Sequence, residues 1–249
     1  MQEENTVGWK KFPHPPEVWI KRQYPQIFNG IHMDDPIKSH PTRAEQLDII
    51  ATVITETSSP GDRILDLGCG TGYLEHLLWG MREDLAVTGV DINPDSLASA
   101  AKRFAGRSAY HWIAGDLRMV DAITLPHNDY QLVVTCLTFH DLTNGEKQAV
   151  IDWASAKLST GGVFLLLDRI RLVEPTLFAL QVALWNRLER IHGFGMRSEG
   201  TFNAYEANIA PNNNPARLDD YCVWFKASKM KSQVLHLHGN IVIIAACKE

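Results

Sequence analysis

Cysteine is scarce in this chain, and the few present do not pair. Cys69, Cys136, Cys222 and Cys247 are the only four, scattered with no C-x-x-C spacing. That usage excludes a disulfide framework and fits free thiols in a reducing, cytoplasmic setting. Positive charge is short as well: 24 Lys and Arg stand against 29 Asp and Glu, for a net charge of −5. A broad nucleic-acid footprint is therefore not expected. No apolar run approaches the ~18 residues that a membrane span requires. The start, MQEENTVGWKKF, has no apolar core of a signal peptide, so no membrane partner and no secretion are expected. Internal repeats and low-complexity segments are absent too.

What is present is an ordinary globular composition, 45% hydrophobic and 21% charged over 249 residues, enough for one domain with a full core and an appended lid. Six of the twelve prolines fall in residues 1–41, together with Trp9, Phe12, Trp19, Tyr24 and Phe28. Proline limits regular structure there, and the aromatics predict an arm folded over the rest. From about Thr42 a helical pattern begins, with Leu47, Ile50, Val53 and Ile54 on one face. Short apolar stretches then alternate with helical ones. Strands are predicted at 63–67, 86–90, 109–115, 131–137 and 161–167. Asn93–Pro94 reads as a helix cap and first residue, and Thr143 with Glu146 as a capping box. Such alternation predicts a parallel sheet covered on both faces. After Asp168 the rhythm changes. Leu177, Leu180, Leu184, Leu188 and Ile191 make a stripe read as the core of a helical lid, with a dimer or substrate surface as the alternative. A polar loop follows at 208–217, and two stretches flanking Gly239–Asn240 predict an antiparallel hairpin at a sheet edge.

The chemistry is concentrated at "ILDLGCGTGYLEHLL", residues 64–78. A strand, three glycines at alternate positions and then a helix make a cofactor geometry, because glycine tolerates positive φ and lets a ligand reach the backbone. The spacing is G-x-G-x-G, not the G-x-G-x-x-G of a dinucleotide site. The pattern "DLGCGTG" at 66–72 resembles motif I of class I S-adenosylmethionine-dependent methyltransferases. Asp91 stands where that family places an acid on the ribose hydroxyls, and Asp116 and Leu117 where it reads the adenine. "VVTCLTFHDL" resembles the strand that runs past the sulfonium. The resemblance covers about residues 45–168 and implies a Rossmann-like α/β fold, a mostly parallel seven-stranded sheet with a C-terminal antiparallel hairpin and a helical lid. It implies S-adenosylmethionine as cofactor and S-adenosylhomocysteine as product. The cofactor residues it implies are Asp66, Gly68, Cys69, Gly70, Gly72, Asp91, Ile92, Asp116, Leu117 and Thr135. Cys69 reads as a packing residue, not a nucleophile.

For such a cofactor the protein has mainly to align a nucleophile and exclude water, with a base needed only where the nucleophile carries a proton. His140 is the candidate base, with a structural or substrate-contact role open beside it. Arg169, His192, Arg197 and Tyr205 are the candidate substrate residues, with an ion pair as the alternative for Arg169. His236 and His238 share a strand face but lack a third ligand, so no metal is expected. The expected divisions are an arm at 1–45, the cofactor core at 46–168, a helical lid at 169–218 and a closing helix and hairpin at 219–249. The arm and lid would enclose a small organic substrate, methylated on oxygen or nitrogen, in a monomer or homodimer. The layout after residue 168 is similar to that of carboxy-S-adenosylmethionine synthases. A different reaction on the same frame, or a catalytically silent cofactor-binding subunit, is therefore the alternative.

Overall fold

The apolar stretches between residues 63 and 169 show little alternation because both of their faces are covered, and they pair as a parallel sheet. The protein is described by a computed structural model at residues 43–192, 199–209 and 213–249. The elements in chain order are α1 (Arg43–Thr57), β1 (Arg63–Leu67), α2 (Tyr73–Met81), β2 (Ala86–Asp91), α3 (Pro94–Arg103), β3 (Tyr110–Ala114), β4 (Tyr130–Cys136), α4 (Asn144–Lys157), β5 (Leu158–Arg169), α5 (Phe178–His192), α6 (Phe202–Ala207), α7 (Leu218–Ala227), β6 (Met230–His238) and β7 (Ile241–Lys248). Short 3₁₀ turns occupy Leu117–Ala122, Phe139–Asp141 and Pro175–Leu177. The predicted arm lies largely outside the described residues.

The strand order is β3-β2-β1-β4-β5-β7-β6. β1 to β5 run parallel, β7 is antiparallel to β5, and β6 is antiparallel to β7. The order reverses between β1 and β4, so the connections leaving these two neighbours diverge. A crevice opens at their carboxyl ends, where ligands bind in open α/β sheets.

The caps sit where the sequence puts them. The Asn93 side chain accepts from the backbone N–H groups of Asp95 and Ser96, with Pro94 opening α3. Thr143 and Glu146 complete a capping box on α4. Each such cap is worth about 1 kcal/mol. One sheet face buries Leu65, Val133, Phe164 and Ile244 with Val150 of α4 and Phe225 of α7. The other buries Ile64, Val134, Leu165 and Ile243 with residues of α1 and α2.

Two expectations need correction. β5 starts at Leu158, not at 161. A register shift opposite Tyr130 and Leu132, and a left-handed Gly161 with φ of 75°, let it begin with a bend. The leucine stripe is not the lid core: Leu177, Leu180 and Leu184 are exposed, and of that stripe Leu188 is buried. Phe178 and Trp185 take the inside instead, packed with Tyr205 in a separate cluster. Their rings bury more apolar area per residue than leucine, and this rotates the helix. The Ile191 side chain lies outside the described residues.

Candidate active site

The glycines at 68, 70 and 72 all have positive φ, between 54° and 80°. At Gly68 there is no room for anything else. A Cβ there would lie 2.2 Å from Oγ1 of Thr138. The loops after β1 and β4 therefore touch at this point, and Gly68 makes the contact possible. Around Gly70 the space is open. The Gly70 N–H donates to Oδ2 of Asp91 at 2.8 Å, and the Asn93 N–H donates to Oδ1 at 2.8 Å. One carboxylate thus fixes the glycine loop and the start of α3 together. It still has lone pairs to offer, since a carboxylate has about four acceptor positions.

A cleft lies over these ends of the sheet, with Gly68, Asp91 and Ile92 on one wall, Asp116 and Leu117 on a second, and Leu137 and Thr138 opposite. Leu137 holds a φ of 57°, an uncommon backbone for a side chain of its size. Asp116 caps the turn at Leu117 and is gripped on both oxygens by the Arg118 guanidinium. That grip holds the Asp116 carboxyl below its usual range.

Beneath the glycine loop lies a second acidic feature. Asp66 of β1 and Glu75 of α2 are both buried. Asp66 Oδ1 and both Glu75 oxygens lack a hydrogen-bond donor among the described residues. Burial pushes the Asp66 carboxyl well up, and the neighbouring Glu75 and Asp91 add to it. Burial raises Glu75 too, against the lowering influence of the adjoining Asp66 carboxyl, then of its own backbone N–H and the Arg103 charge. Cys69 is buried beside them. Burial, then Glu75, Asp66 and Asp91, push its thiol up, so it is not a nucleophile.

The third feature joins β4 to β5. His140 Nδ1 lies 2.6 Å from Oδ1 of Asp168, which is fully buried. The Tyr221 O–H donates to Asp168 Oδ2 at 3.2 Å, and the Arg169 N–H donates to Oδ1 at 2.8 Å. A carboxylate on Nδ1 fixes the imidazole tautomer and leaves Nε2 as an acceptor. The His140 carbonyl accepts from the Asn214 N–H at 2.6 Å. The buried Lys147 ammonium donates to the Asn214 carbonyl at 2.7 Å and to the Leu142 carbonyl. Burial brings Lys147 down to about 8. Next to this group is a small hollow, bounded by Arg169, Asn213 and Ile241 and roofed by Trp185, Tyr205 and Ile209.

Most of the sequence-derived residues gather here. Gly68, Asp91, Ile92, Asp116 and Leu117 line the cleft, while Arg169 and Tyr205 line the hollow. Gly70 and Gly72 shape the loop, with Cys69 and Asp66 packed beneath. Thr135 does not reach the cleft. It is fully buried, and its hydroxyl donates to the Leu67 carbonyl at 2.8 Å. Thr138, three residues on, takes the wall position. Arg197 and the His192 side chain lie outside the described residues. The sequence reading missed Glu75, Lys147 and Tyr221. Glu75 reads as an ordinary acid in the first turn of a helix, and only its burial sets it apart. His236 and His238 form no metal cluster with other ligands among the described residues. Among those residues no helix is long and apolar enough to cross a membrane.

A seven-stranded sheet of this order, with a glycine loop after the first strand and an acid closing the second, defines a class I methyltransferase fold. Residues 64–162 match the family described as a methyltransferase domain. The chain is 25% identical to a carboxy-S-adenosyl-L-methionine synthase of Campylobacter lari, over 65% of this chain and 68% of that protein. It is 31% identical to a malonyl-[acyl-carrier protein] O-methyltransferase of Anoxybacillus flavithermus, over 41% of this chain and 37% of that protein. It spans about half the length of another such synthase, from Chromohalobacter salexigens. Among solved structures, magnesium protoporphyrin IX methyltransferase of Synechocystis PCC 6803 with bound SAH superposes with a TM-score of 0.61 at 12% identity. That match covers 94% of this chain and 98% of the other, and supports the fold. Residues 64–162 therefore carry a methyltransferase domain, and the chain is similar to S-adenosylmethionine-dependent enzymes over part of its length.

Proposed function

We propose that the protein methylates a small organic acceptor at a protic oxygen or nitrogen, with His140 as the general base. The observation that carries this reading is the 2.6 Å contact between His140 Nδ1 and the fully buried Asp168. A surface histidine needs no such partner, whereas a base that must present Nε2 in one orientation does. Asp168, itself held by Tyr221, is a positioning residue.

The residues suit the cofactor. When bound, S-adenosylmethionine supplies a methyl group already activated on a sulfonium. The lone pairs left on Asp91 suit two ribose hydroxyls, and Ile92 and Leu117 offer apolar surface to a flat base. The open backbone at Gly70 admits the amino-acid tail, and the acids beneath the loop suit its charge. Asp116 is already bound by Arg118, so it contributes to the adenine wall as a pair and not as a bare acid. Arg169 and Tyr205 face the hollow next to the dyad, where the acceptor is held away from water. We take residues 169–218 as the lid and 46–168 as the cofactor core. The partner is a small molecule, with no nucleic acid, and the protein works as a monomer or homodimer in the cytoplasm.

The test is incubation of the purified chain with methyl-deuterated S-adenosylmethionine and a small-molecule cell extract, read by mass spectrometry. A mass-shifted product that disappears with His140→Gln supports the reading. Cofactor binding with no labelled product overturns it. A second reading, carboxylation of the cofactor's own methyl group, is favoured by one observation. The match to the Campylobacter lari synthase spans 65% of this chain, against 41% for the O-methyltransferase. Native mass spectrometry that finds a carboxylated cofactor on the purified protein would select it. A catalytically silent subunit would bind the cofactor and label nothing, even with added partners.

A further inference from the structure

We propose that Asp66 and Glu75 act as one acid pair that shares a proton in the free protein, receives the cofactor's α-ammonium group, and gives that proton to solvent as the ammonium binds. This rests on the cofactor assignment above and adds to it a residue, Glu75, and a proton count.

The argument begins with placement. Asp66 pairs with Val134 in the register of β1 on β4, so its side chain faces the α1–α2 side of the sheet, directly under the glycine loop. Glu75 is the third residue of α2, which starts at that loop, and its carboxyl acts directly on Asp66. The two side chains are 2% and 1% exposed, and three of their four oxygens have no donor among the described residues. Two ionised carboxylates so placed would repel in a site with little water, and a proton between them removes both problems. A third buried polar group lies on α1. Gln46 lies on the inward face of α1 with Arg43, Leu47 and Ile50, and neither of its amide atoms has a partner among the described residues. Buried polar atoms left without partners cost free energy unless a ligand or water completes them.

Other charged and titratable groups flank the pair among the described residues. Asp91 on β2 adds negative charge at Asp66, and Cys69 in the loop is a neutral thiol. Arg103 on α3 acts on Glu75 and donates to the Gly72 carbonyl at 3.4 Å. Tyr110 on β3 is pushed up to about 12 by burial and by Glu75, so it stays neutral. Cys136 at the end of β4 is a neutral thiol that feels Asp66, Glu75 and Arg43 of α1. Among the described residues Arg103 is the cation that acts on the pair, against the three carboxyls of Asp66, Glu75 and Asp91, which leaves the pair holding its proton until another cation arrives. The ammonium is that cation. On its arrival both carboxyls ionise, the O–H bond of the shared proton breaks, and the proton leaves to the buffer.

The consequence is a tenfold gain in cofactor affinity per unit rise in pH while the pair still holds its proton. Calorimetric titration of S-adenosylhomocysteine into the full chain, in buffers of different ionisation enthalpy at one pH, counts the protons released. About one per cofactor is expected, falling to near zero in Glu75→Gln. Should that variant not fold, 5′-methylthioadenosine, which lacks the amino-acid tail, makes the same comparison in the native chain and should release none. Heats independent of buffer, or equal release with and without the tail, overturn the proposal while leaving the cofactor assignment standing. If S-adenosylhomocysteine produces no binding heat at any pH, the cofactor assignment fails and this inference fails with it.

Discussion

Replacing Asp168 by asparagine changes the charge of one buried atom pair and almost nothing of its shape, so it isolates what the carboxylate does for His140. The carboxylate accepts from His140 Nδ1 at 2.6 Å, from the Arg169 N–H at 2.8 Å and from the Tyr221 O–H at 3.2 Å, all at full burial. An asparagine has one acceptor oxygen for these three donors. Oδ1 serves both His140 Nδ1 and the Arg169 N–H, so an asparagine that keeps its oxygen there keeps the imidazole tautomer and turns its NH2 to the Tyr221 hydroxyl. What it removes is the negative charge that stabilises the imidazolium as His140 takes a proton from the acceptor. A positioned general base contributes roughly 10²–10⁴-fold, which at 1.36 kcal/mol per decade is about 3–5 kcal/mol in the barrier. The weakened hydrogen bonds cost about 1–3 kcal/mol of stability, which a thermal melt reads separately.

The assay is single-turnover methylation with a series of acceptors of falling hydroxyl or amine pKa. Asp168→Asn should lower kcat by roughly 10²–10⁴-fold for acceptors that carry their proton. It should leave cofactor affinity within about twofold, because Asp168 does not line the cofactor cleft. For acceptors already ionised at the assay pH the loss should nearly vanish, a split that a merely structural role would not produce. A uniform loss across the series, or a native rate with protonated acceptors, refutes the dyad.

Three further outcomes follow from the same geometry. Gly68→Ala places a Cβ 2.2 Å from Thr138 Oγ1 at a φ of 80°. It should cost at least tenfold in cofactor affinity, and a Thr138→Gly change in the same chain should recover the clash but not the roughly 1–2 kcal/mol of left-handed backbone strain, as calorimetry and melting can show. Asp91→Ala strands the Gly70 and Asn93 N–H groups as well as the ribose. An affinity loss of roughly 10–100-fold is expected from about 1.5–3 kcal/mol per charged hydrogen bond, and unchanged titration curves would remove Asp91 from the site. Burial holds Lys147 at about 8 when folded, against its ordinary 10.5. Between these values the unfolded chain binds more protons, so this residue makes the native protein gain stability as pH rises through that window. Urea unfolding at pH 8 and pH 10 should show the gain in the native chain and a flatter response in Lys147→Met.

Much of this site is legible from the chain, and the reason is local. The glycine loop, Asp91 and the Asn93–Pro94 start of α3 lie within 30 residues of one another. Each is a backbone requirement that few residue types meet: positive φ, a carboxylate at a strand end, a cap. The parallel strands announce themselves by apolar runs, and the β6–β7 hairpin by Gly239–Asn240. Where the reading failed, the deciding contact was between elements far apart in sequence. Thr135 and Thr138 stand three apart on the same stretch, and nothing local says which hydroxyl is spent on Leu67 and which one meets Gly68. Leu180 and Trp185 both fit a helical stripe, and which one turns inward depends on Phe178 and Tyr205 closing over the indole.

His140 is the instructive middle case. Its position after β4 marked it as a candidate, yet a histidine at a strand end has several uses. What distinguishes them is Asp168, 28 residues away, and Tyr221, 53 further on. These three are brought together because β4 and β5 are neighbours in register, Thr135 opposite Leu166 and Cys136 opposite Leu167, so their carboxyl ends finish side by side. The crossover helix α4 carries Lys147 back under the same point and ties it to Asn214. The order of strands thus does for the dyad what spacing does for the glycine loop. Asp141, next to His140, lines the cofactor cleft and Arg169, next to Asp168, lines the lidded hollow, a placement of the dyad that topology sets before any lid residue is specified. The same sheet could then serve different acceptors by changing only residues 169–218.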